Sequence, residues 1–242
     1  MNAPHALRVF YGGTFDPVHN GHLAIAGAAH ALLDTDIDIL PAADPPHRAP
    51  PGASAQDRVA MLRLAIVGRP GLRLDLMEIE RHARDDTRRS WSVDTLRALR
   101  DGSDAQAPIA WLIGADSFIG LPTWKCWREL FELTHFIVAD RPGSPLEGGL
   151  ADDKLPAELA QVLEGRRARE PAALRRSPAG RVLFMHQPLQ PESATDLRQR
   201  ITAGLPWRSL VPAAVADYIA QHRLYEAHPD AAIIGSRPGA PL

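Results

Sequence analysis

Short apolar runs alternate along this chain with longer stretches whose apolar residues recur at helical spacing. Leu7 to Tyr11, Ile37 to Leu40, Leu72 to Leu76, Ile109 to Ile113, Phe136 to Ala139 and Val182 to Met185 read as six strands. Helices are predicted over Leu23 to Leu33, Gln56 to Val67, Trp91 to Arg100, Trp124 to Leu133, Ala194 to Ala203 and Pro212 to His222. In the second of these, Val59, Met61, Leu62, Ala65 and Ile66 form an apolar face. In the last, Pro212 stands at the first turn, where its missing N–H removes no helical bond. Strand–helix alternation predicts an α/β protein with a parallel sheet covered on both faces. Ligands of such sheets bind at the carboxyl ends of the strands. Gly143 to Gly149, rich in glycine and proline, reads as a loop. A single domain over 1–226 is expected, with a helical C-terminal part from about 186 and a fraying tail over 227–242.

Bulk composition narrows the field. The 242 residues are 45% hydrophobic and carry a net charge of −2, so there is no global basic field to attract nucleic acid. Phosphate binding must therefore come from local groups. The single cysteine, Cys126, excludes an intramolecular disulfide framework and a four-cysteine zinc site, and fits a cytoplasmic protein. Between Lys125 and Trp127 it reads as a small packed residue rather than a nucleophile. Met1 to His5 is not a basic stretch leading into an apolar core, so no secretory signal is expected. No apolar stretch approaches the roughly 20 residues that span a bilayer. Arg166, Arg167, Arg169, Arg175, Arg176 and Arg181 read as a solvated surface insertion. The oligomeric state is left open.

The junction between the first strand and first helix carries the chemistry. Gly12-Gly13-Thr14-Phe15-Asp16-Pro17-Val18-His19-Asn20-Gly21-His22 places two glycines, a hydroxyl and two histidines before a helix. Glycines allow a group to approach the backbone closely. A helix start presents unpaired N–H groups and a partial positive charge. An imidazole N–H donates to a phosphate oxygen whether neutral or cationic. The junction suits a polyanion such as a nucleotide triphosphate. A zinc pair of the helical metalloprotease kind needs histidines four apart with a glutamate after the first, and Asn20 occupies that place. No Gly-x-Ser-x-Gly elbow marks a serine triad. Phe15 reads as core rather than a stacking platform, and Asp16 as a brace for the turn or a water-mediated magnesium contact.

This segment resembles the signature of the nucleotidylyltransferase superfamily, and most closely that of bacterial nicotinate-mononucleotide adenylyltransferases. Ser193-Ala194-Thr195-Asp196-Leu197-Arg198 is similar to a second family motif near the C-terminus. Pro45-Pro46-His47-Arg48, Ser90-Trp91-Ser92-Val93-Asp94-Thr95-Leu96, Ile113-Gly114-Ala115-Asp116-Ser117 and Arg141-Pro142-Gly143 lie between them in the family's order. The resemblance spans roughly 7 to 225 and implies a Rossmann-like nucleotidylyltransferase fold. It implies that His19, His22, Arg48 and Arg198 serve catalysis at the triphosphate. It implies ATP contacts from Gly12, Gly13, Thr14, Phe15, Asp16, Gly114, Asp116, Arg141, Ser193 and Thr195. It assigns the pyridine mononucleotide to Trp91, Thr95 and Trp124, the last stacking on the ring. Two positions depart from the family pattern: Glu192 replaces an apolar residue and Ala194 a serine. The charged segment Arg81 to Arg89 looks longer than in relatives, as does the arginine-rich span.

The implied reaction joins nicotinate mononucleotide to the α-phosphorus of ATP with Mg²⁺, releasing pyrophosphate and deamido-NAD. A substrate phosphate is a competent nucleophile near neutral pH, so no general base is required. Positioning supplies about 7–11 kcal/mol and each well-placed donor about 2.7–4 kcal/mol. A helix end alone, at roughly 0.3–1 kcal/mol, is too weak. Side-chain donors must add to it. Nicotinamide mononucleotide or phosphopantetheine as acceptor, a non-catalytic nucleotide sensor and a metal-dependent hydrolase are the competing readings.

Overall fold

The computed structural model describes residues 6–43, 52–86, 89–102, 104, 106–139, 155–185 and 192–226. Among these, the strands are β1 (Arg8–Gly13), β2 (Ile37–Pro41), β3 (Leu72–Leu74), β4 (Ile109–Gly114), β5 (His135–Ala139), β6 (Arg167–Ala168) and β7 (Val182–Met185). They form one sheet in the order β3-β2-β1-β4-β5-β7-β6, and every pairing is parallel. The helices are α1 (Asn20–Leu33), α2 (Ala55–Ile66), α3 (Met77–Arg84), α4 (Ser92–Asp101), α5 (Ala115–Ile119), α6 (Trp127–Leu133), α7 (Ala157–Leu163), α8 (Ala194–Thr202) and α9 (Ala213–Gln221). The architecture is the Rossmann-like α/β fold expected.

The period-2 alternation of each strand sorts its side chains between two cores. Val9, Tyr11, Ile37, Ile39, Leu112 and Ile137 join a cluster with α1, α2, α8 and α9. Phe10, Leu40, Trp111, Ile113, Phe136 and Val138 join the opposite cluster with α4, α6 and α7. Each such side chain contributes about 1.5–3 kcal/mol on burial, which explains why the strands read as almost continuous apolar runs. β1 pairs with β2 on one side and β4 on the other. The chain therefore reverses its direction of travel across the sheet between β1 and β4, and in sheets of this kind ligands bind at the carboxyl ends of the strands at such a reversal.

The helix expected over Trp124 to Leu133 begins instead at Trp127. Leu121–Thr123 forms a 3-10 turn, Trp124 is extended, and Cys126 takes a left-handed conformation with φ 51°. That backbone breaks any continuous helix. Cys126 is also exposed rather than packed. Helices α3, α5 and α7 and the two-residue β6 were absent from the pattern-based expectation. No helix among the described residues is long and apolar enough to cross a membrane.

Candidate active site

The turn after β1 is built around aromatic packing. A Cβ on Gly12 would lie 2.2 Å from Trp111 Cζ2, and one on Gly13 would lie 3.0 Å from Phe15 Cζ. The two glycines are thus required first by neighbouring rings. Phe15 has φ 51°, is buried, and sets its ring edge-on against Tyr11 and His22 at 5.3 and 5.0 Å between centroids. Its expected contact with ATP is corrected for the side chain: the ring is core, and only its backbone borders the turn.

Asp16 is likewise turned inward. Its Oδ2 accepts the Gly52 N–H at 2.7 Å, and its Oδ1 accepts the Ala53 N–H at 3.1 Å and the Tyr225 hydroxyl at 2.8 Å. At 5% exposure, this carboxylate braces the turn, one of the two roles expected of it; so enclosed, the side chain is not presented to the nucleotide, which corrects that expected contact. Its backbone carbonyl accepts from Arg198 Nη1 at 2.6 Å.

His19 is the N-cap of α1, with extended backbone, and His22 sits in the first turn. Their rings stack at 3.7 Å between centroids, 29° from parallel. The His19 N–H donates to His22 Nδ1 at 3.3 Å. A neutral His22 that accepts at Nδ1 carries its proton on Nε2, which makes that nitrogen the donor for an anion. His19 is buried and His22 half-buried.

Arg198 comes from α8, whose N-cap Ser193 accepts the Asp196 N–H at 3.1 Å. The guanidinium reaches back to the Asp16 carbonyl, lies 3.7 Å from Asp16 Oδ2, and keeps a third of its side chain exposed. Arg198, Thr195, Gln199, Thr202 and Ala203 line a cavity of about 390 Å³. The Arg198–Asp16 contact thereby brings α8 against the turn that leads into α1, and Arg198 Nη2 also approaches the Thr195 hydroxyl at 3.4 Å.

Two supporting residues went unnoticed in the sequence. Arg58 of α2 is 1% exposed, and its Nη1 donates to the carbonyls of Thr14 and Ala42 at 2.7 Å each, its Nη2 to that of Ala43 at 3.0 Å. It ties the exits of β1 and β2 together. Burial depresses its pKa, against the pull of the Asp16 charge, but a guanidinium remains charged. Tyr225 is the other. Burial foremost, then the Asp16 charge, raises its pKa, so its hydroxyl stays a donor. Arg58 lies within a helix that the apolar period does reveal, but its charge reads as surface, and Tyr225 lies beyond the last periodic helix.

On the strand beside β1, Gly114 ends β4, and the exposed Asp116 lies in the first turn of α5. Trp91 and Trp124 are half-buried and pack on the same core cluster, with Lys125 Nζ 5.4 Å above the Trp91 ring. Trp127 is buried. Thr95 is corrected: it is fully buried, donates to Glu78 Oε1 at 2.6 Å and accepts from Arg81 Nη2 at 2.8 Å. That hydroxyl stitches α3 to α4 and is not presented to a substrate. Burial raises the pKa of Glu78, partly offset by its bonds from Thr95 and Ser90. Arg48 and Arg141, both expected at the triphosphate or adenine, lie outside the described residues. No group of three or more His, Cys, Asp or Glu placed to hold a metal occurs among the described residues.

The cytidylyltransferase-like family matches residues 10–200. A probable nicotinate-nucleotide adenylyltransferase of Stenotrophomonas maltophilia is 55% identical over 220 residues, covering 91% of this chain and 97% of that protein. This chain belongs to the nicotinate-nucleotide adenylyltransferase family. A family member from Cronobacter sakazakii is 41% identical, with 91% of this chain and 96% of that protein covered. The solved structure of Plasmodium falciparum nicotinic acid mononucleotide adenylyltransferase complexed with NaAD superposes with a TM-score of 0.69, at 14% identity, covering 91% of this chain and 98% of that one. At that identity the likeness bears on the fold alone. As an adenylyltransferase-family chain, this protein carries the family's adenylyl-transfer chemistry, and its residues can be read for that task.

Proposed function

We propose that this chain transfers the adenylyl group of ATP to nicotinate mononucleotide, with His19, His22 and Arg198 holding the triphosphate. The observation that carries the assignment of the site is the stacked histidine pair at the start of α1, a turn away from the carbonyl that holds Arg198. An oxygen of the mononucleotide phosphate attacks the α-phosphorus. The bond from that phosphorus to the oxygen bridging to the β-phosphorus breaks, and pyrophosphate leaves with the electron pair. No proton needs to be removed from the nucleophile. The His22 Nε2–H and the α1 N-terminus face the phosphates, and Arg198 offsets charge that grows on the leaving pyrophosphate. Thr14 and Thr195 border the same phosphates, Gly114 and Asp116 the ribose, and Trp124 and Trp91 the pyridine ring. The described residues offer no carboxylate cluster for magnesium, and Asp16 is committed elsewhere; the ion enters with ATP as part of the substrate.

The test is an acceptor panel of nicotinate mononucleotide, nicotinamide mononucleotide and phosphopantetheine with ATP, read by mass spectrometry. Deamido-NAD is the expected main product. His19→Ala and His22→Ala should each lower turnover at least about 10²-fold, the magnitude of losing one charge-stabilising donor, with the melting temperature little changed. Near-normal turnover in either variant would overturn the assigned role.

A further inference from the structure

The carboxyl-terminal residues of the described chain make contacts at the phosphate turn that packing alone does not require. Arg223 and Tyr225 both adopt left-handed backbone conformations, with φ of 51° and 66°. Those two residues carry side chains that disfavour this region, so the surroundings must hold the segment in place. Thr202 of α8 does so from one side, donating its hydroxyl to the Tyr225 carbonyl at 2.9 Å. The ring of Tyr225 fills the space where a Cβ on Gly52 would sit, 3.0 Å away. Its hydroxyl then reaches Asp16 Oδ1 at 2.8 Å.

Asp16 passes that constraint on. Its carbonyl is the acceptor for Arg198 Nη1, at 2.6 Å, and its Oδ2 lies 3.7 Å from the same nitrogen. Thr202 and Arg198 are one helical turn apart on α8, and both line the cavity of about 390 Å³. Tyr225 is therefore linked to Arg198 by two routes, through Asp16 and through Thr202.

We propose that Tyr225 is a positioning residue for triphosphate binding, holding Asp16 so that the Arg198 guanidinium stays aimed into the phosphate site. This inference rests on the function proposed above. A long arginine side chain has several rotamers, and one anchored carbonyl leaves its remaining N–H groups in a fixed fork. Without the hydroxyl of Tyr225, Asp16 keeps only the Gly52 and Ala53 N–H groups of the three donors described, and the less restrained carboxylate can close the 3.7 Å gap to Arg198. A direct Asp16–Arg198 ion pair then competes with phosphate for the guanidinium.

The experiment measures ATP affinity by calorimetry and steady-state kinetics in the full-length protein. The set is wild type, Tyr225→Phe, Arg198→Ala and the double variant, at a temperature where circular dichroism shows all four folded. Tyr225→Phe keeps the ring against Gly52. It should weaken ATP about five- to tenfold, raising the KM for ATP more than it lowers kcat, with the KM for the mononucleotide unchanged. In the Arg198→Ala background the same change should have no further effect on ATP. A purely structural tyrosine would weaken ATP equally in both backgrounds, or shift both substrates together, and either result overturns the inference. A wild type that binds ATP alongside a Tyr225→Phe variant that binds it equally well overturns this inference alone. A wild type that binds no ATP overturns the proposed function, and this inference with it.

Discussion

Gly12 is constrained by the indole that it faces. Trp111 is 3% exposed on β4 and stacks against Phe10 at 6.5 Å, so it has nowhere to retreat when a Cβ arrives 2.2 Å from its ring. Gly12→Ala should overpack this core at a cost of about 1–3 kcal/mol, seen as a lower urea midpoint with an unchanged slope. An unchanged midpoint would mean that the turn yields without cost. The glycine pair was legible in the sequence as a turn demanding small residues, but not which neighbour made the demand. Asp16 shows the same boundary of what can be read. That it could brace the signature turn was visible; which donors it would meet was not, because Gly52 and Tyr225 lie 36 and 209 positions away. A carboxylate's direction is set by donors that only the folded chain supplies. The histidine pair was readable for the opposite reason. Three-residue spacing across a helix start brings two side chains together through local geometry alone.

Most elements whose burial follows a simple period were legible, α7 with its buried Leu159 and Leu163 excepted, whereas α3, held by polar contacts, was not. α2 was legible from its apolar face, yet its functionally weightier residue is Arg58 on that same buried side. Three backbone carbonyls from the exits of β1 and β2 converge on this one guanidinium. Arg58→Met would leave them facing an apolar side chain. The expected loss is about 2–4 kcal/mol of stability, since each buried unsatisfied carbonyl costs roughly 1–3 kcal/mol and some regain water. Because Thr14 lies in the turn proposed to border the triphosphate, the KM for ATP should rise as well. Chemical denaturation and an ATP titration check the two parts, and a variant as stable as wild type would show that other donors replace the guanidinium. α3 escaped notice because Met-Glu-Ile-Glu-Arg-His-Ala-Arg shows charge where it is in fact buried: Glu78 points into the protein and meets Thr95. Charged residues with polar partners inside break the apolar period on which helix prediction rests.

At the scale of the whole molecule, strand–helix alternation announces a parallel sheet but not the order of its strands. The site lies at the β1–β4 reversal because the chain returns from β3 to the opposite side of β1, a matter of long-range pairing. The arginine-rich span, expected to be a solvated insertion, does keep Arg167, Arg169, Arg175, Arg176 and Arg181 exposed. Two of these still bond to the body of the protein: Arg175 donates to the Leu33 carbonyl at 2.8 Å, and Arg181 Nη1 to that of Gly165 at 2.9 Å. The span is tied into the sheet edge, and His135 at the head of β5 is one of its anchors. That ring is fully buried; its Nε2 lies 2.8 Å from the Ser177 carbonyl and its Nδ1 accepts the Arg181 N–H at 2.9 Å. Both nitrogens are satisfied only in the neutral Nε2–H tautomer, since a proton on Nδ1 would face a backbone donor. Burial accordingly lowers its pKa from 6.5 to about 4. Above pH 6.5 the ring is neutral in the folded and unfolded chain alike, and its contribution to stability is complete. As the pH falls below 6.5 the unfolded chain takes up a proton that the folded one refuses. Stability should then decline by about 1.4 kcal/mol per pH unit, to a total near 3 kcal/mol by pH 4. His135→Gln removes this titration while leaving other groups in place. Urea unfolding of both proteins from pH 7.5 to 4.5 should give curves that converge as the pH drops, the wild type losing more stability than the variant. Parallel curves would show that the ring is charged in the native protein, or that the arginine-rich span stays docked without it.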